Sequence, residues 1–359
     1  MAQEADFVVV GAGTAGCVLA GRLSEDPSLS VCLLEAGKHD NNWRIQVPLG
    51  FAFTVPTRQF NWAFESVPQP GLNGRRIYQP RGKTLGGSSS INAMMYIRGH
   101  RCDYDHWAAL GNTGWRYDDL LPLFRKSENN ADLDDAYHGN SGPLHVSYLR
   151  SPAPFFQLCI DAARQQGLPL NHDFNGAQQD GIGYTQVMQI NGERCSAAKA
   201  FITPNLVRSN LRVETGAHST RILFDGKRAV GVEYRQGGQL RQIRARREVI
   251  LAAGALQSPQ LLQLSGIGDA ATLRRYGIAV VHDLPGVGCN LQDHLDINLN
   301  YRANHPDLIG TEPASALALL RGILPYRRER RGIWTSNFAE VNCFFRSDPA
   351  LPAPDLQIE

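Results

Sequence analysis

The feature that most constrains the fold is a glycine-rich turn, formed by Gly11, Gly13 and Gly16. The apolar run before it, Asp6–Val10, has the pattern of a parallel strand buried on both faces. The first glycine permits a tight turn, the second lets a pyrophosphate approach the backbone, and the third lets helix and strand pack closely. A helix over Thr14–Ser24 would then direct its N-terminus at the phosphate charge. The spacing predicts a dinucleotide site.

An acidic residue follows at the position that such a site needs. A second buried strand, Ser30–Leu34, ends at Glu35, 19 residues after Gly16. A carboxylate there accepts both ribose hydroxyls of the adenosine half and repels a 2′-phosphate, which disfavours NADP. Strand, helix and strand together predict a right-handed βαβ crossover. NAD and FAD both remain open on these residues.

Two more segments are rich in small residues. The first, Gly82–Asn92 (GKTLGGSSSIN), supplies unshielded backbone N–H groups that suit an anion or a flat polar ring. The second, Gly254–Gly268, directly follows a buried strand over Glu248–Ala252, so the chain is expected to return to the first sheet. Taken singly, each segment fits an ordinary loop or strand-to-helix connection equally well.

Outside the glycine-rich segments, the sequence pattern predicts further helices and strands. Residues 41–82 are rich in Pro, Gly, Asn and aromatic residues, which predicts a long ordered excursion. Short helices are predicted within Asp103–Glu128, and an amphipathic helix over Ala314–Leu324 that runs into the basic stretch Tyr326–Arg331. Predicted strands are Leu144–Tyr148, Tyr184–Ile190 and a meander of Leu211–Thr215, Ser219–Phe224 and Ala229–Tyr234.

Composition excludes several classes of partner and site. The chain has 36 basic and 34 acidic residues, so no global charge steers it toward nucleic acid. Its seven widely spaced cysteines contain no CxxC pair, which argues against a disulfide scaffold and a zinc site, and no metal is expected. The N-terminus is acidic rather than basic, and no apolar run approaches ~18 residues. A cytoplasmic protein with a small-molecule partner is predicted.

The three glycine-rich segments together resemble the glucose-methanol-choline (GMC) oxidoreductase family of FAD enzymes. One family signature runs from Gly82 to Asp105 and the other from Gly254 to Gly268, and the segment Gly286–His294 (GVGCNLQDH) is also typical. Residues 61–100 are most similar to the choline-dehydrogenase-like branch, particularly bacterial aliphatic alcohol dehydrogenases. The resemblance replaces the open choice of dinucleotide with FAD.

The resemblance implies an α/β fold with two domains. One is an FAD-binding Rossmann-like domain, and the other is a substrate domain with an antiparallel sheet (α+β) that is incomplete here. The implied FAD-binding parts are residues 1–143 and 206–297, and the implied substrate parts are residues 144–205 and 298–359.

The resemblance also implies a set of cofactor-binding residues. Those facing the pyrophosphate and the adenosine ribose are Gly11, Gly13, Thr14, Ala15, Glu35 and Ala36. Those lining the flavin and its pyrophosphate are Trp62, Gly82, Gly86, Ser88, Asn92 and the backbone of Ala93 and Met94. The adenine meets the backbone of His218, and the nucleotide tunnel is closed by Ala253, Gly254 and Ser258.

Two departures from the family pattern matter. Ile91 stands where some members attach FAD covalently through a histidine, so non-covalent FAD is expected. The catalytic base of the family, a histidine with a second histidine or asparagine downstream, is not recognisable, so the catalytic residues are unknown and the chain is expected to be a fragment. The histidines present, including His100, His106, His138 and His294, are predicted to be surface or structural groups.

The implied activity is oxidation of a primary, aliphatic alcohol to an aldehyde by hydride transfer to flavin N5, with electrons passed to a quinone-type acceptor. An oxygen-using alcohol or choline oxidase is one alternative, and a flavin-binding fragment without turnover is another. Residues 314–331 allow weak peripheral contact with the inner membrane, against the alternative of a packed helix with a solvated basic end.

Overall fold

A computed structural model describes residues 3–301, 303, 305, 307, 308, 310 and 313–359. The chain divides into two compact units. Unit 1 comprises Met1–Asn42, Phe53–Asn92 and Ser196–Asn300, and unit 2 comprises Trp43–Ala52, Ala93–Cys195 and Tyr301–Glu359. The sequence expectation grouped residues 93–143 with the cofactor domain, whereas this division places them in unit 2. The assignment of cofactor and substrate roles to whole domains stays a prediction.

The elements follow one another in a mixed order of helices and strands. The α-helices are α1 (Thr14–Leu23), α2 (Trp43–Gln46), α3 (Phe51–Thr54), α4 (Arg101–Ala109), α5 (Tyr117–Ser127), α6 (Phe155–Gln165), α7 (Ala197–Phe201), α8 (Gly254–Leu264), α9 (Ala270–Arg275) and α10 (Pro313–Glu329). Short 3-10 helices span Pro48–Gly50, Pro70–Leu72, Gly87–Ser90, Thr203–Asn205 and Ile333–Thr335.

The strands are mostly short outside the main sheet. They are β1 (Gln3–Val10), β2 (Val31–Leu34), β3 (Phe64–Glu65), β4 (Tyr78–Gln79), β5 (Glu128–Asn130), β6 (Leu144–Val146), β7 (Gly181–Tyr184), β8 (Gln189–Ile190), β9 (Glu193–Arg194), β10 (Leu211–Glu214), β11 (His218–Asp225), β12 (Arg228–Gln236), β13 (Gln239–Leu251), β14 (Ile267–Gly268), β15 (His282–Asp283), β16 (Val341–Phe345) and β17 (Leu356–Ile358).

Unit 1 is built on a mixed sheet. In its described residues six strands are ordered β10-β2-β1-β13-β12-β11, with β10, β2, β1 and β13 parallel and the β13-β12-β11 end antiparallel. Val8 and Val9 of β1 are fully buried, because a parallel strand at the centre of such a sheet is covered on both faces. The parallel pairings of β1 with β2 and with β13 confirm the predicted strand-helix-strand unit and the predicted return of the chain.

Two predicted strands were wrong in their pairing or extent. Leu211–Thr215 was expected in the meander, but β10 pairs in parallel with β2, with Leu211 opposite Val31. The antiparallel ribbon instead consists of β11, β12 and β13. Tyr184–Ile190 was expected as one strand, yet β7 ends at Tyr184 and β8 begins at Gln189. The break arises because β7 pairs with β16, while Val187 bridges separately to Met95 and Ser147.

Unit 2 contains a small antiparallel sheet, ordered β17-β16-β7. Ile160 of α6 packs on this sheet against Ile182 of β7 and Cys343 of β16, and these three residues form a buried apolar cluster. The helix predicted over Ala314–Leu324 is longer than expected, because α10 continues to Glu329 and incorporates much of the basic stretch. Among the described residues, no helix combines the length and apolarity that crossing a lipid bilayer requires.

Candidate cofactor-binding cavity

A cavity of about 930 Å³ opens in unit 1 at the carboxyl ends of the parallel strands β1, β2 and β13. Its volume is near the upper end of the roughly 300–1,000 Å³ range of small-molecule sites. In open α/β sheets ligands bind at this edge, because loops after adjacent strands diverge there. The cavity therefore lies where the glycine-rich turn and the carboxyl end of the second strand predicted a dinucleotide.

Each of the three positions in the turn is occupied by glycine for a different structural reason. Gly11 has φ +95°, and a Cβ there would lie 2.6 Å from the carbonyl oxygen of Ala252. A Cβ on Gly16 would lie 1.8 Å from the carbonyl oxygen of Gly11, so helix α1 could not pack on the turn. A Cβ on Gly13 would meet no atom within 4 Å. Gly13 thus leaves open a space at the start of α1 that a side chain would occupy.

The second glycine-rich loop packs directly on this turn. The N–H of Gly86 donates to the carbonyl oxygen of Ala12 at 2.8 Å. Gly87 has φ +55°, and a Cβ there would lie 2.6 Å from the Cα of Gly13. Within the loop, the N–H of Gly82 donates to Ser88 Oγ at 3.1 Å. Two of the three segments identified in the sequence therefore form one continuous wall of backbone.

Glu35 lies in this wall with its carboxylate held by backbone donors. Ala12 N donates to Oε2 at 2.9 Å, and Gly37 N donates to Oε1 at 2.8 Å. Burial raises the pKa of Glu35 to about 7, although these two hydrogen bonds and the charge of Lys83 act in the opposite direction. Each carboxylate oxygen can accept more than one hydrogen bond, so both remain able to accept a hydroxyl.

Aromatic side chains form another part of the cavity lining. Trp62 stacks on Phe64 with ring centroids 5.7 Å apart, and it meets the His218 ring edge-on at 5.5 Å. Lys83 Nζ lies 4.0 Å from the centre of the Trp62 ring, at a distance typical of a cation–π contact. Burial lowers the pKa of His218, and the charges of Lys83 and Arg235 lower it further. The imidazole is therefore neutral at physiological pH.

Most of the sequence-predicted site residues line this cavity. They are Gly11, Gly13, Thr14, Ala15, Glu35, Ala36, Trp62, Gly82, Ser88, His218, Ala253, Gly254 and Ser258. Four predicted residues do not line it. A Cβ on Gly86 would face Ser90 Oγ at 2.2 Å, Asn92 is exposed, and Ala93 and Met94 belong to unit 2. The binding roles of all these residues stay proposals.

Sequence reasoning missed several lining residues. Phe64 and Arg81 line the cavity beside Trp62. Gln257, Leu261 and Leu264 also line it and lie on helix α8, which starts at Gly254. Their spacing of three and four residues is helical, so placing the helix start at the glycine would have identified this face.

The chain matches the family model described as GMC oxidoreductase over residues 5–296. The chain belongs to the GMC oxidoreductase family. It is 48% identical over 355 residues to alcohol dehydrogenase [acceptor] from Pseudomonas putida, a match that covers 98% of this chain and 64% of that protein. It is 44% identical over 362 residues to human mitochondrial choline dehydrogenase, covering 99% of this chain and 61% of that one.

Solved structures agree with this assignment. An FAD-dependent oxidoreductase from Chaetomium thermophilum superposes with a TM-score of 0.84 at 33% identity, covering 95% of this chain and 61% of that one. This GMC member therefore has the family's α/β FAD-binding fold, with an additional antiparallel sheet. The chain spans 61% of the length of the human choline dehydrogenase and 64% of that of the Pseudomonas putida alcohol dehydrogenase.

The cofactor is FAD, and the cavity fits it. The open space above Gly13 can take a pyrophosphate against the backbone, and the carboxylate of Glu35 at the end of β2 suits a ribose. The aromatic wall of Trp62 and Phe64 suits a flat ring. Ile91 has no nucleophilic atom, so FAD is held without a covalent bond at that position.

The histidines named in the sequence analysis have structural or exposed positions. His138 is fully buried, with Nδ1 2.9 Å from Glu128 Oε1 and Nε2 3.0 Å from Asp173 Oδ2. These carboxylates outweigh burial and raise the pKa of His138 to about 9, so the ring is protonated and engaged on both sides. His100 caps α4 by accepting from Cys102 N, and His106 and His294 are exposed.

Proposed function

We propose that this protein is an FAD-dependent alcohol dehydrogenase that oxidises a primary aliphatic alcohol to an aldehyde. The observation that carries the proposal is the 48% identity to an alcohol dehydrogenase [acceptor] along nearly the whole chain. Bound FAD would supply the redox chemistry by accepting the substrate's hydride at N5. The residues of the chain would hold, orient and shield that cofactor.

The geometry of the cavity suggests which residues bind each part of FAD. The backbone around Gly13 and the N-terminus of α1 would hold the pyrophosphate, since free N–H groups and the helix dipole favour an anion there. Glu35 would accept hydrogen bonds from both hydroxyls of the adenosine ribose. His218 would meet the adenine through its backbone, and the neutral ring would add no charge.

A spectral experiment tests the substrate class. The protein is loaded with FAD, and its flavin absorbance is followed anaerobically after addition of 1-alkanols, choline or a sugar. Bleaching by 1-alkanols but not by choline or sugars supports the proposal. Reduction by choline alone would redirect it to the second relative, the choline dehydrogenase.

The electron acceptor is proposed to be a quinone-type compound. The name of the similar Pseudomonas putida protein, alcohol dehydrogenase [acceptor], agrees with a separate electron acceptor. An oxygen-using alcohol or choline oxidase is the alternative, since relatives include oxygen-dependent choline dehydrogenases. Peroxide formation during alcohol turnover discriminates the two. Quinone reduction without peroxide supports the dehydrogenase.

A second candidate function is flavin binding without turnover. It is favoured by the absence of a recognisable catalytic histidine pair from the sequence. It predicts a normal flavin spectrum that no alcohol bleaches. Reduction by any alcohol at a catalytic rate would exclude it.

We propose that the protein is cytoplasmic and that α10 makes weak peripheral contact with an anionic membrane. One face of α10 is buried, with Tyr326 donating to the carbonyl oxygen of Gly192 at 3.2 Å. The opposite face exposes Leu317, Leu320 and Leu324, with arginines at 321, 327 and 328 exposed as well. Apolar and basic residues on one exposed face suit a lipid surface.

Flotation with vesicles tests this contact. Binding to vesicles that contain anionic lipid, weakened by Leu320→Glu and absent with neutral vesicles, supports it. No flotation with either composition would favour a helix packed on the protein with a solvated basic end.

A further inference from the structure

The segment of unit 1 that carries Trp62 to the cavity has a strained backbone. Phe60 has φ +63° and Ala63 has φ +50°, so a left-handed residue with a Cβ stands on each side of Asn61–Trp62. This conformation is unfavourable for phenylalanine and alanine, and it persists only where the surroundings enforce it. Strain of this kind is concentrated at functional sites, so the segment is a candidate for a binding role.

Asn61 enforces this backbone from the interior of unit 1, where it is buried. Its Nδ2 donates to the carbonyl oxygen of Val55 at 2.9 Å and to the hydroxyl of Tyr78 at 2.8 Å. Its Oδ1 accepts from the backbone N–H groups of Ala63 and Arg81, each at 2.9 Å. The amide thus uses both of its donors and both lone pairs of its acceptor. The strained segment is therefore fixed before any ligand binds.

The ring of Trp62 lies at the end of the cavity that Glu35 marks. The backbone carbonyl oxygen of Glu35 accepts from Ala217 N at 2.8 Å. The next residue is His218, and its ring meets Trp62 edge-on with centroids 5.5 Å apart. Lys83 Nζ lies 4.0 Å from the centre of the Trp62 ring, and its charge also acts on the carboxylate of Glu35. Two separate sets of contacts therefore connect Trp62 with the carboxylate that is proposed to bind the adenosine ribose.

The order of the groups in FAD then decides which ring meets Trp62. The pyrophosphate joins the two halves of the cofactor, and its proposed place is the open space above Gly13, with the adenosine half directed to Glu35. A side chain at the Glu35 end accordingly meets the adenine rather than the flavin. Trp62 and Phe64 both line the cavity, with their rings parallel within 7°. Adenine has the flat π face that packs on such rings.

We propose that Asn61 and its strained neighbours hold Trp62 and Phe64 as a preformed aromatic platform for the adenine of FAD. The inference rests on the proposed function, in which this cavity holds FAD. It differs from the family expectation, which set Trp62 beside the flavin. Asn61 is then a positioning residue, and Trp62 is the residue that contacts the base. The contact selects a flavin that carries an adenine over one that lacks it.

The test uses three ligands that separate the two halves of the cofactor. They are FAD, FMN, which lacks the adenosine, and ADP, which lacks the flavin. Each is titrated calorimetrically into the FAD-free chain carrying Trp62→Ala, Trp62→Phe or Asn61→Ser, in which the shorter side chain cannot reach the partners of the amide. Trp115→Ala is the matched control, since Trp115 is a half-exposed tryptophan of unit 2 that packs edge-on against Trp107.

Trp62→Ala should weaken the binding of FAD and of ADP about 10- to 100-fold and leave the affinity for FMN unchanged. Trp62→Phe should lose less, Trp115→Ala should lose nothing, and Asn61→Ser should show the same loss for ADP without a loss for FMN. A general structural defect would weaken all three ligands together, so the contrast between ADP and FMN isolates the contact with adenine.

An unchanged ADP affinity in folded Trp62→Ala or folded Asn61→Ser would overturn the inference, as would an equal or larger loss for FMN. A wild type that binds FAD but not ADP would overturn it as well. If Trp62→Phe or Asn61→Ser does not fold, that residue is structural and the inference is overturned. Failure of alcohols to reduce the bound flavin, with the ADP contrast intact, would overturn the proposed function alone. A wild type that binds no FAD would overturn both.

Discussion

Glu35 in unit 1 and Glu128 in unit 2 are both buried, but their environments are opposite. Glu128 in unit 2 is 2.6 Å from Arg98 Nη2 and 2.9 Å from His138 Nδ1. Burial alone would raise its pKa, but hydrogen bonds from His138 and Asn130 and the positive charges around it hold the pKa below its usual value. Glu35 in unit 1 is held chiefly by two backbone N–H groups, and its pKa is raised to about 7.

The different partners of the two carboxylates indicate that Glu128 is structural and that Glu35 is suited to bind a ligand. The positively charged partners of Glu128, Arg98 and His138, belong to the protein itself, so this carboxylate needs no ligand to supply them. Glu35 borders a cavity and gains further donors only if a ligand supplies them. The comparison therefore predicts that removing Glu128 mainly damages stability, whereas changes around Glu35 mainly damage cofactor binding.

The largest expected effect is a loss of stability on removing the charge of Glu128, which pairs with Arg98 and His138. Glu128→Gln leaves Arg98 and His138 buried without their shared anion, which should lower the free energy of unfolding by about 3–5 kcal/mol. Chemical denaturation measures it. The control, Asp118→Asn, breaks an exposed pair with Arg101 and should cost less than about 1 kcal/mol. Equal losses in the two variants would contradict the structural role of Glu128.

A large loss of FAD binding is expected from Gly13→Ala. The added methyl group meets no protein atom but enters the space for the pyrophosphate, so FAD affinity should fall roughly 10- to 100-fold, which corresponds to ~1–3 kcal/mol. Gly71→Ala is the matched control, because its Cβ also meets nothing and Gly71 lies outside the cavity. Fluorescence titration with FAD measures both. An unchanged FAD affinity in Gly13→Ala would contradict the placement of the pyrophosphate above Gly13.

Neutralising the cavity carboxylate should have a moderate effect. Glu35→Gln loses the charged acceptor and turns an amide N–H₂ toward a backbone donor, so FAD affinity should fall about 10-fold. Glu25→Gln, which alters an exposed pair with Arg22, serves as the control and should leave affinity unchanged. An affinity for FAD equal to wild type in Glu35→Gln would exclude the ribose contact.

The smallest effect is a pH dependence. The folded protein without FAD raises the pKa of Glu35 from 4.5 to about 7, so this group's contribution to stability is present below about pH 4.5 and is lost as pH rises through 7. Ribose hydroxyls favour the ionised form, so FAD affinity should instead rise, by about fivefold between about pH 6 and pH 7. Titrations in Glu35→Gln should lack this rise. If FAD affinity rises with pH equally in Glu35→Gln, a group other than Glu35 causes the pH dependence.

Local motifs with a steric mechanism were predictable from the sequence. Gly11 and Gly16 must be glycine because any Cβ would collide with nearby backbone, and that requirement is visible in the spacing. The position of Glu35 follows from the strand that precedes it. The continuous apolar runs likewise predicted the parallel pairing of β1 with β2 and β13.

Features that depend on distant partners were not predictable. The edge position of β10 depends on pairing with β2, some 180 residues earlier in the chain, and local alternation cannot report it. The break after Tyr184 depends on β16, whose Val341 pairs with it. The left-handed backbone of Met94 is invisible in the sequence, because methionine rarely adopts it and only the fold enforces it.

The central claim is that the glycine-lined cavity of unit 1 holds FAD without a covalent bond. Titration of the FAD-free chain with FAD, followed by acid precipitation of the complex, tests it most directly. The account predicts saturable binding that NADP does not displace, and FAD that stays in the acid supernatant. No binding, displacement by NADP or a yellow pellet would contradict it.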